Sequence, residues 1–407
     1  MHKRIISIII FILVLSFLFA CDRQETETED SILDKFPLYV EDYQNLVYTF
    51  DSEQREMPFW KSNVIYNETV MLLNKDEETS GKLLFSPLKI LSVRDYSLET
   101  EYIEGVDYTI ENNIIKRTEN SNIPYLDAEN LQGINMPAPY RLVGSISNVL
   151  TDYVMMGPNA VYTESPFYYG NQLSVSYVYD VNDIDLAYYP DFDEEKLPNT
   201  LSKLKNKEQL RISAIGDSVL EGNSSSGTFN RAPFMPDFMT LTKEGLENAY
   251  NTEIILNNIS VGGKTSVWGS SSTMINNLVN TQPDLVFIHF GINDAGDKAS
   301  ANSFRDNIEL MILSLKAANP NVEVVILSCF SPNPLVYDTE LFEKYWEKMS
   351  ELETMYQGVK IIDLWRLSEN ILSVKKYEDV TGNGINHVND YSARLYLMSI
   401  MATLYTY

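Results

Sequence analysis

From residue 211 onward five short apolar runs recur, each followed by polar or helically spaced sequence. They are RISAIG (211–216), EIILNNIS (253–260), DLVFIHFG (284–291), VEVVILSCF (322–330) and VKIIDLW (359–365). Most lack the polar alternation of a strand with one wet face, so both faces of their sheet must be covered. Strands alternating with helices imply parallel pairing, because each helix carries the chain back across a face. In SFRDNIELMILSLKAANP (303–320), Phe304, Ile308, Met311, Ile312 and Leu315 share one face and Asn319-Pro320 ends the helix. Residues 211–407 are therefore expected to form a three-layer α/β/α domain on a five-stranded parallel sheet.

Upstream the texture changes. LSVSYVYD (173–180) alternates with the two-residue period of a half-buried strand. DYTIENNIIKRT (107–118) places β-formers on both sides of Asn112-Asn113, which predicts a hairpin. Residues 36–190 read as an all-β accessory domain, a sandwich or jelly roll. The charged, proline-bearing segment 191–210 reads as a linker. A length of 407 residues suits two such units.

The first residues carry their own signal. MHKR precedes a 16-residue apolar run that ends in LFAC, a pattern that resembles the bacterial lipobox with Cys21 as the first mature residue. That resemblance implies a signal peptide over 1–20, a thioether-linked lipid on Cys21 and attachment to the cell membrane outside the cytoplasm; an uncleaved anchor helix is the alternative. Residues 21–35 then form an acidic tether. The second cysteine, Cys329, lies in an apolar run as an inert buried thiol, and nothing in the Cys/His spacing suggests a metal. No cofactor is expected. The formal charge of −26 excludes nucleic acid as a partner and favours a neutral substrate.

Ligands of open parallel sheets gather at the carboxyl ends of the strands. Three such ends carry unusual turns: GDS with Ser218, NISVGG with Gly262 and Gly263, and GIND with Asn293. A serine nucleophile needs a base, usually histidine. Of the three histidines, His2 leaves with the signal peptide and His289 sits inside an apolar strand. His387 lies in a Gly/Asn loop just before the last amphipathic helix, and elimination favours it as the base.

This order of blocks resembles the SGNH (GDSL) hydrolase superfamily over about residues 205–407, with Ser218, Gly263, Asn293 and His387 at the four named positions. The resemblance implies a serine esterase. In it Ser218 is the nucleophile and His387 the general base and acid. The oxyanion hole comes from Ser218 N, Gly263 N and the Asn293 amide. One departure stands out. The usual last block is Asp-x-x-His, and here position 384 is Gly. Either a Ser–His dyad works with a backbone carbonyl holding the ring, or another acid serves, and Asp390 is the nearest; its alternative role is N-cap of the last helix.

Trp268 follows Gly263 by five residues and reads either as a wall of the substrate pocket or as simple packing. An N-terminal β-domain before such a unit resembles bacterial carbohydrate esterases, which implies an O-acetylated polysaccharide or oligosaccharide as substrate. A lipid or aryl esterase, and an esterase of the cell's own peptidoglycan or exopolysaccharide, are alternatives within enzymes. A catalytically idle glycan-binding lipoprotein is the alternative outside them.

Overall fold

The computed structural model describes residues 33–76, 78–143, 153–157, 160–223 and 225–407. The expected signal peptide, Cys21 and most of the tether lie outside them. Five parallel strands form the main sheet: β12 (Leu210–Gly216), β13 (Ile254–Asn258), β14 (Leu285–His289), β15 (Glu323–Leu327) and β16 (Val359–Ile362), in the order β13-β12-β14-β15-β16. All four pairings are parallel. Alternate residues of each strand enter different cores. Ile215, Val286, Ile288, Val324 and Ile326 meet Phe304, Ile308, Met311, Ile312 and Leu315 of helix Ala301–Ala318. Ile212, Ala214, Phe287, Val325 and Leu327 face the opposite side, with Met239, Leu246, Leu395 and Leu397. Each large side chain buried in this way contributes roughly 1.5–3 kcal/mol.

The N-terminal region is sheet-rich. Strand β1 (Val64–Met71) and β4 (Pro87–Asp95) flank β11 (Gln172–Tyr179) in an antiparallel sheet. A second sheet joins β2 (Leu73–Lys75), β3 (Glu78–Lys82), β5 (Tyr108–Glu111), β6 (Ile114–Arg117) and β7 (Leu126–Asp127). The hairpin forms as expected, with Glu111 opposite Ile114 and Asn112 in the left-handed region at φ 54°. A third, small sheet holds β8 (Arg141–Val143), β9 (Tyr153–Met156) and β10 (Val161–Tyr162).

Three local expectations fail, all for one reason. Strand β11 was expected to be half wet, yet all eight of its residues are buried. The last helix, Asp390–Leu404, was expected to be amphipathic, yet every residue from Tyr391 to Leu404 is buried. The segment 191–210 was expected to be a linker, yet it contains the helix Pro198–Lys205, docked through Leu201 and Leu204 and capped by Glu323, which accepts from Asn199 N and Thr200 N at 2.8 Å. In each case a neighbour absent from the local pattern covers the polar side. Val70, Tyr177 and Tyr179 of the N-terminal sheet share one core with Leu395, Tyr396 and Leu397 of the last helix. Arg394, buried on that helix, donates to Tyr66 O at 2.8 Å.

A buried ion network crosses the same boundary. Lys375 Nζ donates to Glu68 and, at 2.9 Å, to Lys82 O, and Tyr177 donates to the other Glu68 oxygen at 2.5 Å. Both charged side chains are fully buried. The N-terminal sheet is thus fastened to the segment that leads into the His387 loop.

Candidate active site

Strand β12 ends at Gly216, and the turn that follows leaves no room for a side chain there: a Cβ on Gly216 would strike His289 O and Leu220. Asp217 then caps the helix Ser218–Glu221 by accepting from Val219 N. Its Oδ1 also lies 3.1 Å from His289 Nδ1, and His289 Nε2 lies 3.3 Å from the Tyr396 hydroxyl. His289 is wholly buried, and its ring braces the turn from below. Ser218 remains 8% exposed at the rim.

Two further strand ends are stitched to this one. Val261 N donates to Gly216 O at 3.1 Å, and Asp217 N donates to His289 O at 3.2 Å. The Gly262-Gly263 turn therefore passes beside Ser218, where a Cβ on Gly262 would contact Ser218 Cβ. Gly263 has φ +73° with open space around it, so its constraint is backbone conformation and not crowding. Asn293 Nδ2 donates to Lys264 O at 3.0 Å, tying the third block to the second. That bond uses one amide N–H and leaves the other for a ligand.

His387 closes the group. Its Nε2 stands 2.9 Å from Ser218 Oγ, a hydrogen-bonded pair built from residues 169 positions apart. Asn383 shapes the loop that carries it. Fully buried, its Oδ1 accepts from the backbone N–H of Ile385, Asn386 and His387, each at 3.0 Å. Gly382 N anchors the other side by donating to His387 O at 2.8 Å.

Two predicted residues take other places. Asp390 does not face the imidazole: its Oδ1 accepts from Ser226 N at 2.7 Å, on the loop after Ser218. Neither is it the N-cap, a role filled by Asn389, whose Oδ1 accepts from Ser392 N at 3.0 Å. Burial pushes the Asp390 carboxyl up, against the pull of its bonds to Ser226 and of Arg231 and Arg394. Trp268 is half-buried and packs edge-on against Phe290, centroids 6.4 Å apart, at the edge of the core under helix Ala301–Ala318. It takes the packing role. Cys329 is a buried thiol whose Sγ donates to Phe290 O at 3.3 Å, and burial pushes its pKa well up.

The acid beside the imidazole is Glu164, from the N-terminal region. Its Oε1 lies 2.9 Å from His387 Nδ1, off the direction of a linear hydrogen bond. Asn383 Nδ2 donates to the same oxygen at 3.0 Å, and Arg231 Nη1 reaches Glu164 O at 3.4 Å. Burial alone would raise the Glu164 carboxyl, but His387, Asn383 and Arg231 prevail and hold it below the ordinary value. Nothing in the sequence points to this residue or to Asn383. Glu164 lies in no motif, and 219 residues separate it from Asn383.

A family profile for GDSL-like lipases and acylhydrolases matches residues 214–391, from within β12 to the start of the last helix, and so takes in all four blocks. Residues 214–391 belong to the GDSL-like lipase/acylhydrolase family. Solved structures similar to this chain include a two-domain esterase active on acetylated mannans, 18% identical with TM-score 0.40 over 53% of this chain and 53% of that one. An acetylxylan esterase from Geobacillus stearothermophilus is 14% identical, with TM-score 0.39 over 47% of this chain and 92% of that one. An acetyl esterase is 16% identical, with TM-score 0.37 over 47% of this chain and 94% of that one. The match thus spans about half the length of the two-domain esterase. No curated protein matches the chain.

Proposed function

We propose that this GDSL-family ester hydrolase is a serine esterase that removes O-acetyl groups from a carbohydrate polymer. The observation that carries the reading is the 2.9 Å contact between Ser218 Oγ and His387 Nε2 on the rim of the parallel sheet. Ser218 Oγ attacks the ester carbonyl as His387 Nε2 takes its proton, and the imidazolium then protonates the departing alcohol. Water, deprotonated by the same imidazole, attacks the acetyl-serine and releases acetate. Ser218 N, Gly263 N and Asn293 Nδ2 are the donors for the oxyanion, each worth about 10²–10³ in turnover.

Two features support a sugar polymer. The acidic chain, at −26, repels polyanions and anionic lipid surfaces, so a neutral substrate is favoured. Beside Glu164, the Arg231 guanidinium stacks 3.6 Å from the Tyr169 ring centroid and 4.7 Å from that of Phe229, a half-exposed aromatic wall suited to sugar rings. The test is acetate release from acetylated xylan and acetylated glucomannan, alongside p-nitrophenyl esters of rising acyl length. Release that disappears in Ser218→Ala and favours acetyl polysaccharide supports the reading. A preference for long acyl chains sinks the carbohydrate assignment. Silence of the folded protein on every ester sinks the enzyme.

We also propose that the chain is anchored to the bacterial membrane, outside the cytoplasm, through lipid on Cys21. Labelled palmitate should enter the wild type in bacterial cells and not Cys21→Ser; equal labelling of both would reject the anchor.

A further inference from the structure

The family's expected aspartate position is sterically closed here. Gly384 adopts φ +87°, and a Cβ on it would clash with Tyr168, 2.4 Å from its Cε2, Cζ and hydroxyl oxygen. Tyr168 is itself 2% exposed and fixed by a 2.8 Å bond from its hydroxyl to Val161 O. The segment that blocks the acid therefore begins at β10 and contains Glu164.

That segment is fastened to the histidine loop at several points. Thr163 N donates to Asn383 O at 3.1 Å, and Asn383 Nδ2 returns a 3.0 Å bond to Glu164 Oε1. The Tyr162 hydroxyl approaches the same oxygen at 3.4 Å. Gln172 on β11 donates to Thr381 O at 2.8 Å and to Glu378 O at 2.7 Å, holding the start of the loop. Asn389, at its end, donates to Thr69 Oγ1 at 2.9 Å and to Gln172 Oε1 at 3.0 Å. Both ends of the loop and its centre are thus bonded to the N-terminal region.

We propose that Glu164 is the positioning acid of the Ser218–His387 pair, so that the N-terminal region completes the catalytic site instead of serving only as an accessory. This rests on the serine-esterase reading above. A carboxylate beside Nδ1 keeps that nitrogen protonated, leaves Nε2 as the acceptor for the serine proton and stabilises the imidazolium that forms. The off-linear 2.9 Å contact is of the kind that tightens when substrate binds.

The experiment uses the full chain and p-nitrophenyl acetate, with wild type and Ser218→Ala as references. Glu164→Gln preserves size and the Asn383 bond while removing the charge. It should lower kcat by about 10²–10⁴-fold, KM should stay within about threefold, and the melting temperature should hold. In Glu164→Ala, added formate should restore turnover saturably where chloride does not, a readout that a purely structural role does not move. A folded Gln variant within about threefold of wild-type kcat overturns the proposal and leaves a dyad. If the Gln variant melts early, the Ala variant decides: formate-dependent recovery supports the proposal and its absence overturns it. If Ser218→Ala matches wild type, the serine reading falls and this proposal falls with it.

Discussion

Tyr168 occupies the space into which any side chain at Gly384 would project. The two residues belong to different regions of the chain, and their contact leaves no room for an acid at that position of the histidine block. Gly384→Asp should therefore fail to install a triad. The left-handed backbone costs on the order of 1–3 kcal/mol and the overlap costs a similar amount. Melting temperature and kcat should fall together, because displacing Tyr168 also displaces Glu164. Thermal denaturation with steady-state kinetics checks this, and a stable, fully active Gly384→Asp would contradict it.

Asp390→Asn should be nearly silent. The Asn oxygen can still accept from Ser226 N, the bond that Asp390 makes at 2.7 Å. Turnover within about threefold of wild type is expected, since no reacting atom depends on that charge. A loss of a hundredfold or more in a folded protein would return Asp390 to the catalytic group.

Lys375→Met should be severe. It would leave Glu68 buried with its strongest partner gone, although Tyr177 and Leu84 N would still donate to it. Breaking a buried pair from one side costs about 3–5 kcal/mol, whereas Lys375→Met with Glu68→Leu should recover much of that. Chemical denaturation of the single and double variants measures the difference. Because the pair fastens the N-terminal sheet beside the histidine loop, activity should fall with stability.

Glu56 sets a pH dependence. Its carboxyl is pushed up to about 7 by burial, with Glu244 and Asp51 adding to the shift and Arg55 opposing it. The folded state thus holds a proton that the unfolded state releases near its ordinary value of 4.5. This stabilisation is complete below that value and is lost as pH rises through about 7. Glu56→Gln should leave the melting temperature unchanged near pH 4 and raise it near pH 8. The site is partly solvated, so the gain is on the order of 1 kcal/mol. Melting curves across that range decide; no gain at pH 8 would refute the assignment.

Much of the GDSL unit was legible because its signals are local. Apolar runs without alternation require a sheet covered on both faces, and all five became strands of one parallel sheet. Phe304, Ile308, Met311, Ile312 and Leu315 followed helical spacing and are buried together. Ser218 and His387 were separable from other serines and histidines by their turns, and they meet at 2.9 Å.

The rest depended on surfaces that meet only after folding. Ser174 and Ser176 gave β11 the pattern of a half-wet strand, yet both are buried, and Ser176 accepts from Asn67 N at 2.8 Å. Trp268 and Asp390 were near the right motifs in sequence, but Trp268 lies half-buried against Phe290 and Asp390 accepts from Ser226 N. The sequence by itself determined the sheet, its order of blocks and the pairing of Ser218 with His387, because strand burial and strand-end turns are written in neighbouring residues. Tertiary structure alone decided which acid faces His387. Spacing along a chain carries no record of a contact such as Glu164 with Asn383, made across 219 residues when two separately patterned regions pack into one core.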